Sequence, residues 1–226
     1  MEPNKVYEFF NKTENYLHKE YGVRIRTEII KDLVGEIRGK NILDIGCGNG
    51  SLSLQYLPDN NITFLDISEN MLEIVKGRVG TFADQAHFAN VPFEQFQQQR
   101  KFDLILGIGL LAHVPNVKNA VDKISDMLLP DGKAVVQFSD YNNLFTRINI
   151  LFSSGYDYKI NRLGYRGMKD ILNDGNMKIE KEVQYSIMLP GMGKLPDELL
   201  YKFARFTYRN QVVRKLGSDI IWLLKK

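Results

Sequence analysis

Cysteine is nearly absent from this sequence: a lone Cys47 excludes an internal disulfide and any cysteine-rich zinc site. A reducing compartment suits such a chain. Long hydrophobic runs are absent as well, since nowhere do about 18 apolar residues follow one another. The opening Met-Glu-Pro-Asn-Lys has no basic start with an apolar core behind it. Export and membrane spanning are therefore not expected, and the cytoplasm is the expected address. Histidine is scarce and scattered, at His18, His87 and His113, and no carboxylate pair at ligand spacing stands near the glycine-rich turn described below. No metal site is expected. No internal repeat is present.

What is there has the balance of an ordinary globular protein: 44% hydrophobic and 25% charged residues leave no room for a disordered or fibrous reading. With 226 residues the chain can build one sizeable core, and a second full domain would be cramped, so one domain over 1–226 is expected. Net charge is only +3, but basic residues gather late, at Lys202, Arg205, Arg209, Arg214, Lys215, Lys225 and Lys226 against Asp197, Glu198 and Asp219. A solvated helix face explains such a cluster, and so does an anionic substrate or nucleic acid.

Apolar spacing from Val6 to Ile37 predicts two helices broken at Gly22. A strand over Asn41–Ile45 follows, then a tight glycine turn and a helix over Leu52–Leu57 stopped by Pro58. Strand Ile62–Ile67 leads into a helix from Ser68 to Val79, with the Ser68 hydroxyl as its cap. Then come strands Ala86–Ala89 and Phe102–Ile108, a helix over 117–128, the turn Leu129-Pro130-Asp131-Gly132 and strand Ala134–Phe138. Residues 141–163 show no clean period. A helix over Gly167–Asn173, a strand over Met177–Met188, a helical insert from Asp197 to Val213 and a last strand over Asp219–Leu224 complete the chain. Alternating strands and helices predict an α/β fold: a Rossmann-like, doubly wound, mostly parallel seven-stranded sheet with an antiparallel edge strand, an N-terminal helical cap and a late helical insert.

The chemistry gathers on Ile42-Leu43-Asp44-Ile45-Gly46-Cys47-Gly48-Asn49-Gly50, with three alternate glycines directly after a strand and before a helix. Glycine is needed where the backbone takes positive φ or a ligand lies against it. The dinucleotide fingerprint spaces its glycines G-x-G-x-x-G and sets a pyrophosphate at the helix start. Here the third glycine comes one residue early, and Asp44 would repel a pyrophosphate and attract a cation. Asp66 closes the second strand, twenty positions after Gly46, where an acid can accept both ribose hydroxyls. Loop and acid together suit a nucleoside that carries positive charge.

This loop resembles motif I of the class I S-adenosylmethionine-dependent methyltransferases, an acid followed by G-x-G-x-G. Phe64-Leu65-Asp66-Ile67-Ser68 resembles the second acidic motif of that family. Phe102-Asp103-Leu104-Ile105-Leu106 through Leu110-Leu111-Ala112-His113-Val114 is similar to its fourth strand and the loop behind it, and Leu128-Leu129-Pro130-Asp131-Gly132-Lys133 to its turn before strand five. The resemblance implies S-adenosylmethionine as cofactor, with S-adenosylhomocysteine as product. It divides the chain into an N-terminal helical cap (1–40), a cofactor-binding core (41–140), and an acceptor-side insert with C-terminal strands (141–226).

By the same resemblance Gly46, Gly48 and Gly50 make room for the nucleoside, with Cys47 in the same loop, and Asp44 balances the methionyl amino group. Asp66 takes the ribose hydroxyls, Ile67 and Met71 flank the adenine, and Gly107 to Leu110 line the methionine arm. Arg26, eighteen residues before Asp44, stands where ubiquinone-biosynthesis-type members place an arginine near the cofactor carboxylate. A surface arginine on a capping helix is the other reading. Around Phe88-Ala89-Asn90-Val91-Pro92 the family's usual aspartate is missing; Asn90 can accept from the adenine amino group in its place, beside Val91.

Methyl transfer from a sulfonium asks mainly for alignment and exclusion of water, which can supply roughly 7 to 11 kcal/mol. An amine or thiolate acceptor needs little more, whereas a hydroxyl or activated carbon needs a base. His113, on the loop after the fourth strand, is the candidate base, with a packing role as its alternative. Tyr141, Tyr156, Tyr158 and Tyr165 are candidates for an acceptor pocket or for local core. A small-molecule acceptor is expected, with oxygen, nitrogen or carbon open as the methylated atom. RNA or protein methylation, motivated by the basic tail, is the alternative, followed by a non-catalytic cofactor-binding partner subunit. The glycine spacing argues against an NAD-dependent oxidoreductase.

Overall fold

The computed structural model describes residues 20–152 and 160–226. Helix α1 (Glu20–Val34) leads into β1 (Asn41–Ile45), a 3₁₀ turn (Leu54–Asp59), β2 (Asn61–Leu65), α2 (Glu69–Val79), β3 (Ala86–Ala89) and β4 (Phe102–Gly107). Then follow α3 (Val117–Met127), β5 (Leu128–Ser139), α4 (Leu144–Leu151), α5 (Tyr165–Asn173), β6 (Lys178–Tyr185), α6 (Asp197–Arg209) and β7 (Asp219–Lys225). The strands form one seven-stranded sheet in the order β3-β2-β1-β4-β5-β7-β6. Pairs among β1 to β5 are parallel, and β7 runs antiparallel to both β5 and β6.

The parallel strands read as unbroken apolar runs because both faces of the sheet are covered. Ile42, Leu104, Leu106, Val135 and Ile221 turn to one face, where Ile25, Ile29, Ile30 and Leu33 of α1 join them. These four lie on one stripe of α1, at the spacing that a single buried helical face requires. Leu43, Ile45, Ile105, Val136 and Trp222 turn to the other face, against Val117, Val121 and Ile124 of α3 and Met168 and Leu172 of α5. Trp222 is wholly enclosed, edge-on to Phe138 and Tyr165, and its indole N–H donates to Glu182 Oε2 at 2.8 Å.

Helix α6 lies on α1, not on the sheet alone. Arg205 and Arg209 pair with Glu28, Arg209 also reaches Asp32, and Tyr201 and Tyr208 donate to Glu28 and Asp32. Arg24 bonds Glu198 and sits 3.8 Å above the Tyr201 ring. Part of the late basic cluster therefore clamps one helix to another.

Several expectations are corrected. Gly22 does not break the helix: α1 runs through it, and its carbonyl accepts from Arg26 Nε at 2.8 Å. A Cβ there would lie 3.4 Å from the Arg26 guanidinium, so the glycine seats the arginine. The helix expected before Gly22 lies outside the described residues. The helix after the glycine loop is a 3₁₀ turn that contains Pro58, and the narrower coil tolerates a proline that would disrupt an α-helix. Leu128 is already paired with Phe102, so the turn at 129–132 lies inside β5 as an irregularity before the register resumes at Leu104↔Lys133. Gly132 is needed there, since a Cβ would come 2.9 Å from the Phe102 carbonyl oxygen. A short helix, α4, stands where no period was legible, and α6 stops at Arg209, short of Val213.

Trp222→Ala should destabilise the protein by about 3–5 kcal/mol, because it empties a closed site and leaves Glu182 without the indole donor. Urea denaturation checks this.

Candidate functional site

Strand order reverses between β1 and β4, and the loops after β1, β2, β3 and β4 all open at that carboxyl edge. Ligands of doubly wound sheets bind at such a switch point. The loop after β1 turns on three glycines with φ of 67°, 52° and 74°, at Gly46, Gly48 and Gly50. Gly46 N–H and Cys47 N–H both donate to the Leu65 carbonyl, which pins the loop to the end of β2. A Cβ on Gly50 would crowd Leu54 and Val75 at 3.1 and 3.2 Å, so packing also demands glycine there. A Cβ on Gly46 would meet nothing within 4 Å. That bare side leaves room for a ligand.

Two carboxylates frame the loop. Asp66 Oδ2 accepts from Gly48 N–H and Oδ1 from Ser68 N–H, each at 2.8 Å. Each oxygen keeps a second lone pair for a further donor. Burial raises the Asp66 pKa against these bonds. Asp44 is 2% exposed, and the bond recorded to its carboxylate comes from the Ser53 hydroxyl. Burial pushes its pKa up to about 7; the Ser53 bond opposes this, and the neighbouring Asp66 charge adds to it. A buried carboxylate whose nearest charge is another carboxylate is an electrostatic demand for a cation.

Residues 43–134 match the family model of a methyltransferase domain. This span holds all four switch-point loops. Over that span the chain resembles a methyltransferase domain.

It is 32% identical over 139 residues to malonyl-[acyl-carrier protein] O-methyltransferase 2 of Ilyobacter polytropus, covering 59% of this chain and 53% of that protein. It is 28% identical over 111 residues to the ubiquinone biosynthesis O-methyltransferase of Bordetella avium, covering 48% and 46%. The chain thus spans about half the length of these curated relatives. Magnesium protoporphyrin IX methyltransferase of Synechocystis PCC 6803, solved with bound S-adenosylhomocysteine, has a similar fold. Its TM-score is 0.65 at 15% identity over 98% of this chain and 97% of that one. The matched span, the curated relatives and the solved structure of similar fold are all those of methyltransferases.

The remaining expected residues fall into three groups around the glycine loop. Ile67 follows Asp66, Met71 sits in the first turn of α2 with its N–H on the Ser68 hydroxyl, and Asn90 and Val91 follow β3. The Asn90 amide donates to the carbonyls of Asp66 and Ile67, so it fixes the Asp66 loop and leaves its own oxygen as the acceptor. Gly107 closes β4, and Leu110 lies within contact distance of it. Cys47 differs from its neighbours: its side chain is buried in the core with Ile25 and Ile42, and burial raises its thiol pKa. Its thiol stays within the protein and donates to the Gly48 carbonyl at 3.5 Å.

Arg26 is not beside Asp44 in the way that the two glycine-loop acids are beside each other. It faces a cavity of about 280 Å³ with Tyr21, Gln137, Ser139, Tyr185 and Asp219. His113 is in the turn after β4, with its N–H on the Leu110 carbonyl, and burial lowers its pKa to about 4. Tyr165 OH donates to Glu182 beside Trp222, and so serves local packing. Tyr156 and Tyr158 lie outside the described residues. Among the described residues no group of three or more His, Cys, Asp or Glu is placed to hold a metal ion.

Sequence reasoning missed Ser53 and the cavity group. A signal for the second did exist: Gln137 interrupts the otherwise apolar Ala134-Val135-Val136-Gln137-Phe138 of a central strand.

The sign of the Asp44 linkage gives a test. The folded protein retains a proton here between about pH 4 and 7 that the unfolded chain has released. Stability contributed by this group is full below that window and is lost as pH rises through 7. Asp44→Asn should therefore be more stable than the parent at pH 8, by roughly 2–4 kcal/mol, with the difference vanishing near pH 4. Urea titrations at the two pH values decide it.

Proposed function

We propose that the chain transfers a methyl group from S-adenosylmethionine to a small-molecule acceptor and releases S-adenosylhomocysteine. The observation that carries this reading is the buried, uncompensated Asp44 beside a glycine bend whose bare side is open. The donor set fits the cofactor: an acid lacking a cation for the methionyl ammonium, Asp66 lone pairs for ribose hydroxyls, and the Asn90 oxygen for the adenine amino group. When bound, S-adenosylmethionine supplies a methyl group already activated on a sulfonium sulfur.

The protein's part is then to bind, orient and exclude water. Asp44 holds the ammonium end and Gly46, Gly48 and Gly50 let the nucleoside lie on backbone. Asp66, fixed by Gly48 and Ser68, orients the ribose, while Ile67, Met71 and Val91 shape the adenine slot. Gly107 and Leu110 border the methionine arm, and Arg26 takes its carboxylate. His113 is neutral at pH 7. An imidazole this weakly basic is a poor proton acceptor, which favours a role as a wall and hydrogen-bonding group over that of general base.

A small acceptor is favoured over RNA because Arg24, Arg205 and Arg209 are engaged with Glu198, Glu28 and Asp32, not presented as a free phosphate-binding stripe. The names of the relatives point the same way, and one structure of similar fold was solved with bound S-adenosylhomocysteine.

Titration calorimetry with S-adenosylhomocysteine tests the reading. Binding is expected, and Asp44→Asn should weaken it about 10- to 150-fold, the loss of a charged hydrogen bond worth about 1.5–3 kcal/mol. Affinity for the parent should climb as pH rises through about 7, where Asp44 ionises, and level off above. No uptake by the parent protein, or an unchanged constant in the variant, overturns the assignment.

A further inference from the structure

The cavity that holds Arg26 lies on the α1 side of the sheet. Asp44, Leu106 and Val135 share one register row across β1, β4 and β5. Gln137 is two residues further along β5 on the same face. At strand spacings of about 4.8 Å and a rise of about 3.3 Å per residue, its Cα lies roughly 12 Å from that of Asp44. Cavity and glycine loop thus open under one helix, α1, at the same edge.

The cavity is a constructed polar site. Asp219 begins β7 opposite Ser139, the last residue of β5, whose hydroxyl donates to Asp219 Oδ1 at 2.5 Å. The Ser186 hydroxyl lies near enough to favour the ionised form of Asp219. Ser186 achieves this in the left-handed region, at φ 68°, unlike every other non-glycine residue described. Such a conformation costs of order 1–3 kcal/mol and persists where a site requires it. Its carbonyl is fixed by both the N–H and the hydroxyl of Ser218. Asp219 keeps some accessible surface while protein encloses it, as befits a group facing an internal space.

The second feature is an orphan. Gln137 is only 8% exposed, lines the cavity, and its Oε1 has no hydrogen-bond partner. A buried amide oxygen left so carries a desolvation penalty that a donor from a ligand would relieve. Arg26 is the cavity's cation, and the cofactor's carboxylate uses it in the reading above. Also facing the space are the Asp219 carboxylate and the Gln137 amide oxygen, with Tyr21 and Tyr185 beside them and Leu200, Phe203 and Met188 as apolar walls. A volume of about 280 Å³ admits only a compact ligand.

We infer that this cavity is the acceptor site and that the acceptor is a small amine, its nitrogen taken between Asp219 and Gln137 Oε1 and its apolar body set against Leu200, Phe203 and Met188. This rests on the transferase reading above. The ammonium proton passes to the Asp219 carboxylate and on to water. The freed nitrogen lone pair forms the N–CH₃ bond as the S–CH₃ bond breaks, and the bonding pair stays on sulfur. Methylated amine and S-adenosylhomocysteine result.

The test uses the whole protein saturated with S-adenosylhomocysteine and three probes of one shape: phenethylamine, 2-phenylethanol and 3-phenylpropionate. Calorimetry should show phenethylamine binding at least about tenfold tighter than either other probe. Asp219→Asn and Gln137→Met should each lose at least about tenfold for the amine, while S-adenosylhomocysteine binds within about twofold of the parent. The shape-conserving Gln137→Met keeps the test intact if Asp219→Asn fails to fold. Equal binding of all three probes, preference for the carboxylate, or unchanged amine binding in both variants overturns the amine site and leaves the cofactor site standing. Failure of the parent to take up S-adenosylhomocysteine overturns the transferase reading, and this inference with it.

Discussion

The constraint on which the rest depends is the burial of Asp44 at the end of β1 without a positive charge beside it. β1 is central, flanked by β2 and β4, so its last residues cannot relax toward water without disturbing both neighbours. The glycine loop begins two residues later and is tied to β2 through Leu65, while the tight turn after it brings the Ser53 hydroxyl to the acid. Strand order, glycine conformation and the 3₁₀ turn all act to hold one charge in a place where it is unfavourable. A protein keeps such a group when something else will neutralise it.

Asp66 is the counterpart that is satisfied. Two backbone N–H groups, from Gly48 and Ser68, hold its carboxylate, so it works as a rivet between the loops after β1 and β2. One acid is therefore structural and ligand-directed together, and the other is ligand-directed at a cost to the fold. The same division recurs further along the same face of the sheet, where Asp219 is steadied by Ser139 while Gln137 Oε1 is left unpartnered.

The doubly wound core was legible because buried parallel strands announce themselves as apolar runs and because glycine spacing encodes backbone sign. Asp44, Asp66 and the strand limits of β3 came from that local grammar. What escaped depends on contacts between distant segments. Gly22 reads as a breaker, yet its bare flank accommodates Arg26, four residues on. The arginines of α6 read as a nucleic-acid signal or a solvated face until Glu28 and Asp32, more than 170 positions earlier, were found beneath them. Of the cavity only Gln137 left a mark, as a polar break in an apolar strand: it, Ser186 and Asp219 share no period and come together only through the antiparallel pairings of β7.

That placement of β7 also sets an order of assembly. β5 and β6 never touch; β7 lies between them and pairs with both. While the molecule folds, β5 keeps an open row of N–H and C=O groups until β7 arrives, and β6 has nothing to dock on. Non-local pairing of this kind is slow, and an unpaired central edge is a template for another chain. The vulnerable interval in the life of this protein is the wait for its penultimate strand position to be filled.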